Sequence, residues 1–342
     1  MVLLIVDEPS VIRKSGRRIV VESRVNRNKK EVSVYDLDAM LILKRSSLST
    51  DVIRLVCSYG KFILIGDREH EFAVIHPFIP HGTVVIRREQ MKAFDDERGS
   101  YLAKMFVYAT CMNKARLLKY FAKGRSDYVA DLLKERAEAI ENRASHIREL
   151  EGFLDDIRRS LLGIEGDCAY LYFDAIAKIL PKELGFRGRE KRPPRDPVNS
   201  CLSFGYILLY GQILIKIVSN GLEPYAGFLH TDRSGRPSLV CDLCEEFRQP
   251  VVDKIVYPLF TRRILKKNDF QREKSRVIMS KKALRIFLSA FMQRLDSQVR
   301  YDKCKRTFRT LITHQTRKLV RFLLRRIDRY EPYVWGWWHE EG

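Results

Sequence analysis

DYVADLLKERAEAIENRASHIRELEGFLDDIRRSLLGIEG (127–166) runs for 40 residues without a proline, and its apolar side chains recur at three- and four-residue spacing. That is the period of an amphipathic helix. REQMKAFDDERGSYLAKMFVYATCMNKARLLKYFAK (88–123) keeps the same period, and most of the chain beyond residue 166 reads as helix too. The first 90 residues read differently. VLLIV (2–6), RIVVE (18–22), VSVY (32–35), MLIL (40–43), FILIG (62–66), FAVI (72–75) and TVVI (83–86) are short, rich in β-branched residues and separated by turn-forming or charged residues. These are strand signals. STDVIRLVCSYG (49–60) has a capping residue and helical spacing, so one helix interrupts the strands. The expectation is an α+β chain: an N-terminal β-sandwich-like domain over residues 1–90, then a larger all-α domain over 91–342 that carries catalysis and DNA binding.

A chain of 342 residues, 45% hydrophobic, can bury substantial cores. Its 63 Lys and Arg exceed 43 Asp and Glu, a net charge of +20 that calls for a polyanionic partner, with nucleic acid foremost. Between residues 261 and 330 stand 22 Lys and Arg against 5 Asp and Glu. A helical surface so one-signed suits a phosphate track that positions DNA without reading sequence. GFRGREKRPPRDP (185–197) reads as a mobile basic loop. No apolar run of membrane-spanning length and no basic leader are evident, so the expected location is the cytoplasm. Seven scattered cysteines read as reduced and mostly buried. Cys241 and Cys244 form a CxxC without the second ligand pair that a zinc site needs.

No GxxxxGK[ST], GxGxxG after a strand, GxSxG or HExxH occurs, which argues against nucleotide hydrolysis and hydride transfer. What remains is a set of acids with one histidine. Glu165 is flanked by Gly163 and Gly166, which would let a ligand or another element approach. His230 closes GLEPYAGFLH, and SLVCDLCEEFRQPVVD (238–253) follows a short turn. On a helical wheel Ser238, Asp242, Glu245 and Gln249 share one arc, while Leu239, Val240, Leu243, Phe247 and Val251 share another. Two carboxylates and an imidazole with open positions suit Mg²⁺ or Mn²⁺. The same residues read equally as a solvated acidic face beside Arg248 and a packed histidine, with Asp167 and Asp232 as substitute acids. Spacing alone leaves both readings open.

GLEPYAGFLHTDRSGRPSLVCDLCEEFRQPVVD (221–253) resembles the signature of the CRISPR-associated spacer integrase family, a GLxPxxGxxH segment followed by SLxxDLxExFR. GIEG with Glu165, DPVNSCLSFGYILLYG (196–211) with Asn199 and Tyr206, and NDF (268–270) match in order, so the likeness spans essentially the whole chain. The resemblance implies that Glu165, His230 and Glu245 hold a catalytic Mg²⁺ or Mn²⁺, with Asp242 as a further essential acid. Relatives often carry Asp where Glu245 stands, which leaves open which of Asp242 and Glu245 binds the ion more closely. It further implies a homodimer joined through the β domains, a small ferredoxin-like adaptation partner, and double-stranded DNA as substrate. The implied reaction is integration of captured DNA into a CRISPR array by transesterification, with nuclease activity when water replaces the attacking 3′-hydroxyl, in the service of antiviral defence. Arg248, Arg317, Lys318 and Arg321 are the candidate DNA contacts. The alternatives are a structure-selective repair nuclease and a non-catalytic nucleic-acid-binding protein.

Overall fold

The computed structural model describes residues 2–66, 72–77, 84–191, 193–302 and 304–336. The chain divides into two compact units, residues 1–81 and 82–342.

The first unit holds β1 (Val2–Val6), β2 (Ser10–Ser15), β3 (Arg18–Ser23), β4 (Lys29–Ser33), β5 (Leu37–Ile42), β6 (Ser47–Leu48), α1 (Thr50–Ser58), β7 (Phe62–Gly66) and β8 (Phe72–Ile75). One sheet has the order β1-β5-β7-β8, with β1, β5 and β7 parallel and β8 antiparallel to β7. Parallel neighbours need a crossover, and α1 supplies the one between β5 and β7. The other sheet, β4-β3-β2-β6, is built on antiparallel hairpins. Gly16, at φ 57°, makes the tight β2–β3 turn. Leu4, Val6, Ile12, Ile19, Val21, Met40, Ile42 and Ile63 from the sheets and Val52 and Val56 from α1 form one core. The sequence reading missed β2, because Arg13 and Lys14 hide its alternation.

The second unit holds α2 (Val84–Phe94), α3 (Glu97–Lys123), α4 (Tyr128–Ser145), α5 (Leu154–Ile179), α6 (Pro197–Ser219), α7 (Ser238–Cys244), a π-helix (Arg248–Asp253), α8 (Lys254–Thr261), β9 (Phe270–Glu273), β10 (Arg276–Met279), α9 (Lys281–Asp296), β11 (Gln298–Tyr301), β12 (Cys304–Thr307) and α10 (Phe308–Leu323). Side-chain caps fix several helix starts: Asp96, Asp127 and Asp196 accept from the amides of Arg98, Ala130 and Asn199. α3, α4 and α5 pack on one another and form the frame of the unit.

Several expectations change here. Val84, Val85 and Ile86 begin helix α2 and not a strand, while Thr83 lies outside the described residues. The expected boundary after residue 90 therefore falls inside α2. The 127–166 stretch breaks between α4 and α5, where Gly152 adopts φ 123°. The second unit is helical as expected, with two short hairpins, β9–β10 and β11–β12, set within it; their turns use Lys274 and Asp302 at positive φ, so glycine did not betray them. Among its described residues, the first half of the basic loop is tied to α6, while Arg187, Lys191 and Arg195 are exposed. Asn199 accepts from Arg189 Nη1 (2.9 Å) and the Glu190 amide (3.0 Å) and donates to the Gly188 carbonyl (2.8 Å), while Phe186 is buried. Helix α6 is long and apolar enough by composition to cross a membrane, but 67% of its most apolar window is buried within the structure, as in a core helix.

Candidate functional site

The segment that ends in His230 is shaped by one buried carboxylate. Gln90 on α2 clamps it first, donating to the carbonyls of Glu223 (2.9 Å) and Ala226 (2.7 Å) and accepting from the Glu223 amide (2.8 Å). Gly227 then passes so close to α7 that a Cβ there would stand 2.7 Å from Ser238 Cβ and 2.9 Å from Asp242 Oδ2, a space open only to glycine. Asp242 is 0% exposed. Its Oδ2 accepts from the amides of Phe228 (2.6 Å) and Leu229 (3.1 Å), and its Oδ1 from the His230 amide (3.0 Å) and His230 Nδ1 (2.6 Å). A carboxylate that accepts at Nδ1 fixes the imidazole proton there and leaves the Nε2 lone pair available.

The wheel reading took residues 238–251 as one helix with an acidic outer face. In the structure α7 ends at Cys244, the π-helix begins at Arg248, and Ser238, Asp242, Glu245 and Gln249 are all buried. Glu245 is 1% exposed and pairs through Oε1 with Arg248 Nη1, while its Oε2 is buried with no hydrogen-bond partner. Arg248 donates through Nη2 to Tyr210 Oη (2.6 Å) and lies over the rings of Tyr206 (5.6 Å) and Tyr210 (5.8 Å). Most of the guanidinium is thus engaged within the protein, with the side chain 17% exposed.

Glu165 stands on α5 with its side chain 28% exposed, and Lys114 Nζ on α3 lies 3.5 Å from its Oε1. Burial raises the Glu165 carboxyl, but Lys114, then Arg248, Lys191 and His230 outweigh it and hold the group below its usual range. Lys114 is buried; desolvation opposes its charge, and Glu165 with weaker help from Cys111 and Glu245 more than restores it. Among the described residues, nothing lies within 4 Å of the Cβ positions of Gly163 and Gly166, so no close approach there requires glycine. Asp167 is 72% exposed and faces Arg143, and Asp232 is exposed. Neither joins the group. Cys241 and Cys244 are buried free thiols raised by desolvation, as core residues would be.

His230 and Asp242 are in direct contact, and Glu165 and Glu245 act on a shared set of cations. Among the described residues, no three His, Cys, Asp or Glu side chains converge closely enough to enclose an ion unaided. Lys114 and Arg248 supply the counter-charge. The donors nevertheless fit a divalent ion: a partnerless buried carboxylate oxygen at Glu245, an imidazole with its Nε2 lone pair available and a charged Glu165 form an oxygen-and-nitrogen set of the right hardness.

Three supporting residues escaped the sequence reading. Lys114 is one. Arg189 stacks over Tyr206 at 5.3 Å and is pinned by Asn199. Asp253, buried, accepts from Tyr206 Oη (2.6 Å) and Tyr172 Oη (2.7 Å), and burial pushes it up to about 6 despite them. On the basic tract, Arg317 and Arg321 of α10 are exposed, whereas Lys318 is held by Tyr301 Oη (3.2 Å) and Glu331 (3.4 Å). Arg294 and Arg309 are buried structural cations, bonded to the Pro250 carbonyl and Asp296 respectively.

With this fold and site in view, the comparisons with known proteins converge. The family model described as CRISPR associated protein Cas1 matches residues 3–293. A protein of Archaeoglobus fulgidus named CRISPR-associated endonuclease Cas1 1 is 34% identical over 331 residues, 93% of this chain and 95% of that one. CRISPR-associated endonuclease Cas1 3 of Thermus thermophilus is 38% identical over 236 residues, 68% of this chain and 70% of its own. Among solved structures, a casposase bound to integration product aligns with TM-score 0.81 at 24% identity, covering 97% of this chain and 93% of that one. A chain of a Cas6-RT-Cas1–Cas2 complex aligns with TM-score 0.80 at 19% identity, over 98% of this chain and 36% of that one. This chain belongs to the CRISPR-associated Cas1 family, and both relatives carry the name endonuclease.

Proposed function

We propose that this Cas1-family chain is a divalent-metal-dependent DNA endonuclease and integrase that inserts captured DNA fragments into a CRISPR array. The observation that carries this reading is the imidazole locked by Asp242, which stands on α7 shortly before a Glu245 whose second carboxylate oxygen is buried and partnerless. Glu165, His230 and Glu245 hold the ion, Mg²⁺ or Mn²⁺. When bound, it supplies Lewis acidity at the phosphorus centre. Asp242 positions the imidazole and is not itself a ligand, since every oxygen it has is taken by hydrogen bonds.

In the reaction, the 3′-hydroxyl of the fragment attacks a phosphodiester in the repeat, one P–O bond forms and one breaks, and the proton of the attacking hydroxyl is matched by one on the departing 3′-oxygen. One phosphodiester replaces another, so no nucleotide is consumed, in keeping with a sequence lacking nucleotide motifs. Arg317 and Arg321 on α10 offer exposed charge to the DNA backbone. The partners are double-stranded DNA, a second copy of the chain and a small ferredoxin-like protein of the Cas2 type; the partner named in the Cas6-RT-Cas1–Cas2 neighbour favours this. The reaction takes place in the cytoplasm.

The test is strand transfer into a supercoiled plasmid that carries a leader and repeat, with wild type, Glu245→Gln and His230→Ala. The expected result is joining by wild type only, with DNA affinity and its salt slope equal in all three. Joining by either variant at wild-type rate overturns the reading. Nicking without joining by wild type assigns the chain to repair-type cleavage.

A further inference from the structure

Lys114 is an uncommon placement. Its side chain is 4% exposed on α3, and the only ion pair it makes among the described residues is with Glu165, at 3.5 Å. A good charge-assisted hydrogen bond is shorter, about 2.7–2.9 Å. A buried ammonium with one loose partner is poorly compensated; Glu245, whose charge also acts on Lys114, has a buried oxygen without a hydrogen-bond partner. Lys114 stands beside Glu165, near enough to share its charge and too loosely held to be a purely structural bridge.

We infer that Lys114 is the resident counter-ion of the acidic site, and that a divalent cation must take Glu165 from it. Lys114 thereby sets the affinity of the site for metal, opposing weakly bound ions until one displaces it from Glu165. The inference rests on the metal-site reading above. By this logic, removal of the lysine charge favours the cation, because an ion entering beside Glu165 no longer meets a positive neighbour, whereas deletion of a merely structural residue would loosen the site and weaken binding. That opposite sign is the signature.

The experiment titrates Mn²⁺ into the full-length protein and follows free Mn²⁺ by electron paramagnetic resonance, for wild type, Lys114→Met, Lys114→Arg, Glu165→Gln and His230→Ala, with folding checked by circular dichroism. Lys114→Met is expected to bind Mn²⁺ about tenfold tighter or more than wild type, and Lys114→Arg, which keeps the charge, no tighter than wild type. Equal or weaker binding by the methionine variant overturns the inference. So does tighter binding by the arginine variant, which alone decides the matter if the methionine variant does not fold. Loss of Mn²⁺ binding in Glu165→Gln and His230→Ala upholds the site itself; if both retain wild-type binding, the metal site fails and this inference fails with it.

Discussion

Asp242→Asn separates the positioning role given to Asp242 from that of a ligand. The carboxylate takes four donors, the amides of Phe228 and Leu229 on Oδ2, and the amide and Nδ1 of His230 on Oδ1. An asparagine must turn an NH₂ toward one of these pairs. If it faces Phe228 and Leu229, two buried amides lose their acceptor. If it faces His230, the amide is orphaned and Nδ1 has to become an acceptor, which moves the imidazole proton to Nε2 and closes the metal-binding lone pair. The first arrangement strands two buried donors and the second strands one, at about 1–3 kcal/mol each, roughly 1–6 kcal/mol in all, the second adding the wrong tautomer. At about 2–4 °C per kcal/mol for a large domain, the melting temperature should fall by roughly 2–24 °C. Misorientation of His230 should weaken Mn²⁺ binding about 10–100-fold. Thermal melts with and without Mn²⁺ and a Mn²⁺ titration measure both. A variant that melts within about 1 °C of wild type and binds Mn²⁺ normally refutes the clamp.

Three further outcomes follow from the same coordinates. Gly227→Ala pushes a methyl group against Ser238 and Asp242, and thermal melts should show a loss of about 1–3 kcal/mol; an unchanged melting temperature contradicts the packing. Asp253 titrates at about 6 in the folded chain, above the ordinary range of an unfolded aspartate near 3.8. The folded state therefore holds its proton more tightly, so the stabilisation this provides is complete below about 3.8 and lost as pH rises through about 6. Urea unfolding of wild type and Asp253→Asn from pH 4 to 7 should show the difference shifting toward the variant by roughly 3 kcal/mol, and a pH-independent difference contradicts this. Arg317→Glu should weaken DNA binding across all sequences and flatten its salt dependence, whereas Arg309→Ala should lower stability and leave the salt slope unchanged; sequence-selective loss with Arg317→Glu contradicts a backbone track.

The resemblance of 221–253 to the family signature, and not spacing alone, made His230 and Asp242 legible as parts of one site. It did not disclose that Asp242 acts mainly on backbone amides 12 to 14 residues earlier, since amides carry no sequence signal. Lys114 was hidden for another reason: within α3 it reads as one more basic residue on an amphipathic helix, and only the packing of α3 on α5 brings it to Glu165. The strands of the first unit were read from their β-branched runs, and β2 was lost because its outer half is charged. The hairpins at β9–β10 and β11–β12 lay within a basic tract, where long cationic side chains mask the period-two pattern. Arg248 looked like a surface cation beside two acids, and the change from α7 to a π-helix at Arg248 turns it inward onto Glu245 and the tyrosines of α6.

A crystal soaked in Mn²⁺, with anomalous scattering collected at the manganese edge, tests the central assignment most directly. The account predicts one strong peak bonded to Glu165, His230 Nε2 and Glu245, with Lys114 swung away and Asp242 still hydrogen-bonded outside the coordination sphere. A peak bonded to Asp242 in place of Glu245, or no peak beside His230, would contradict it.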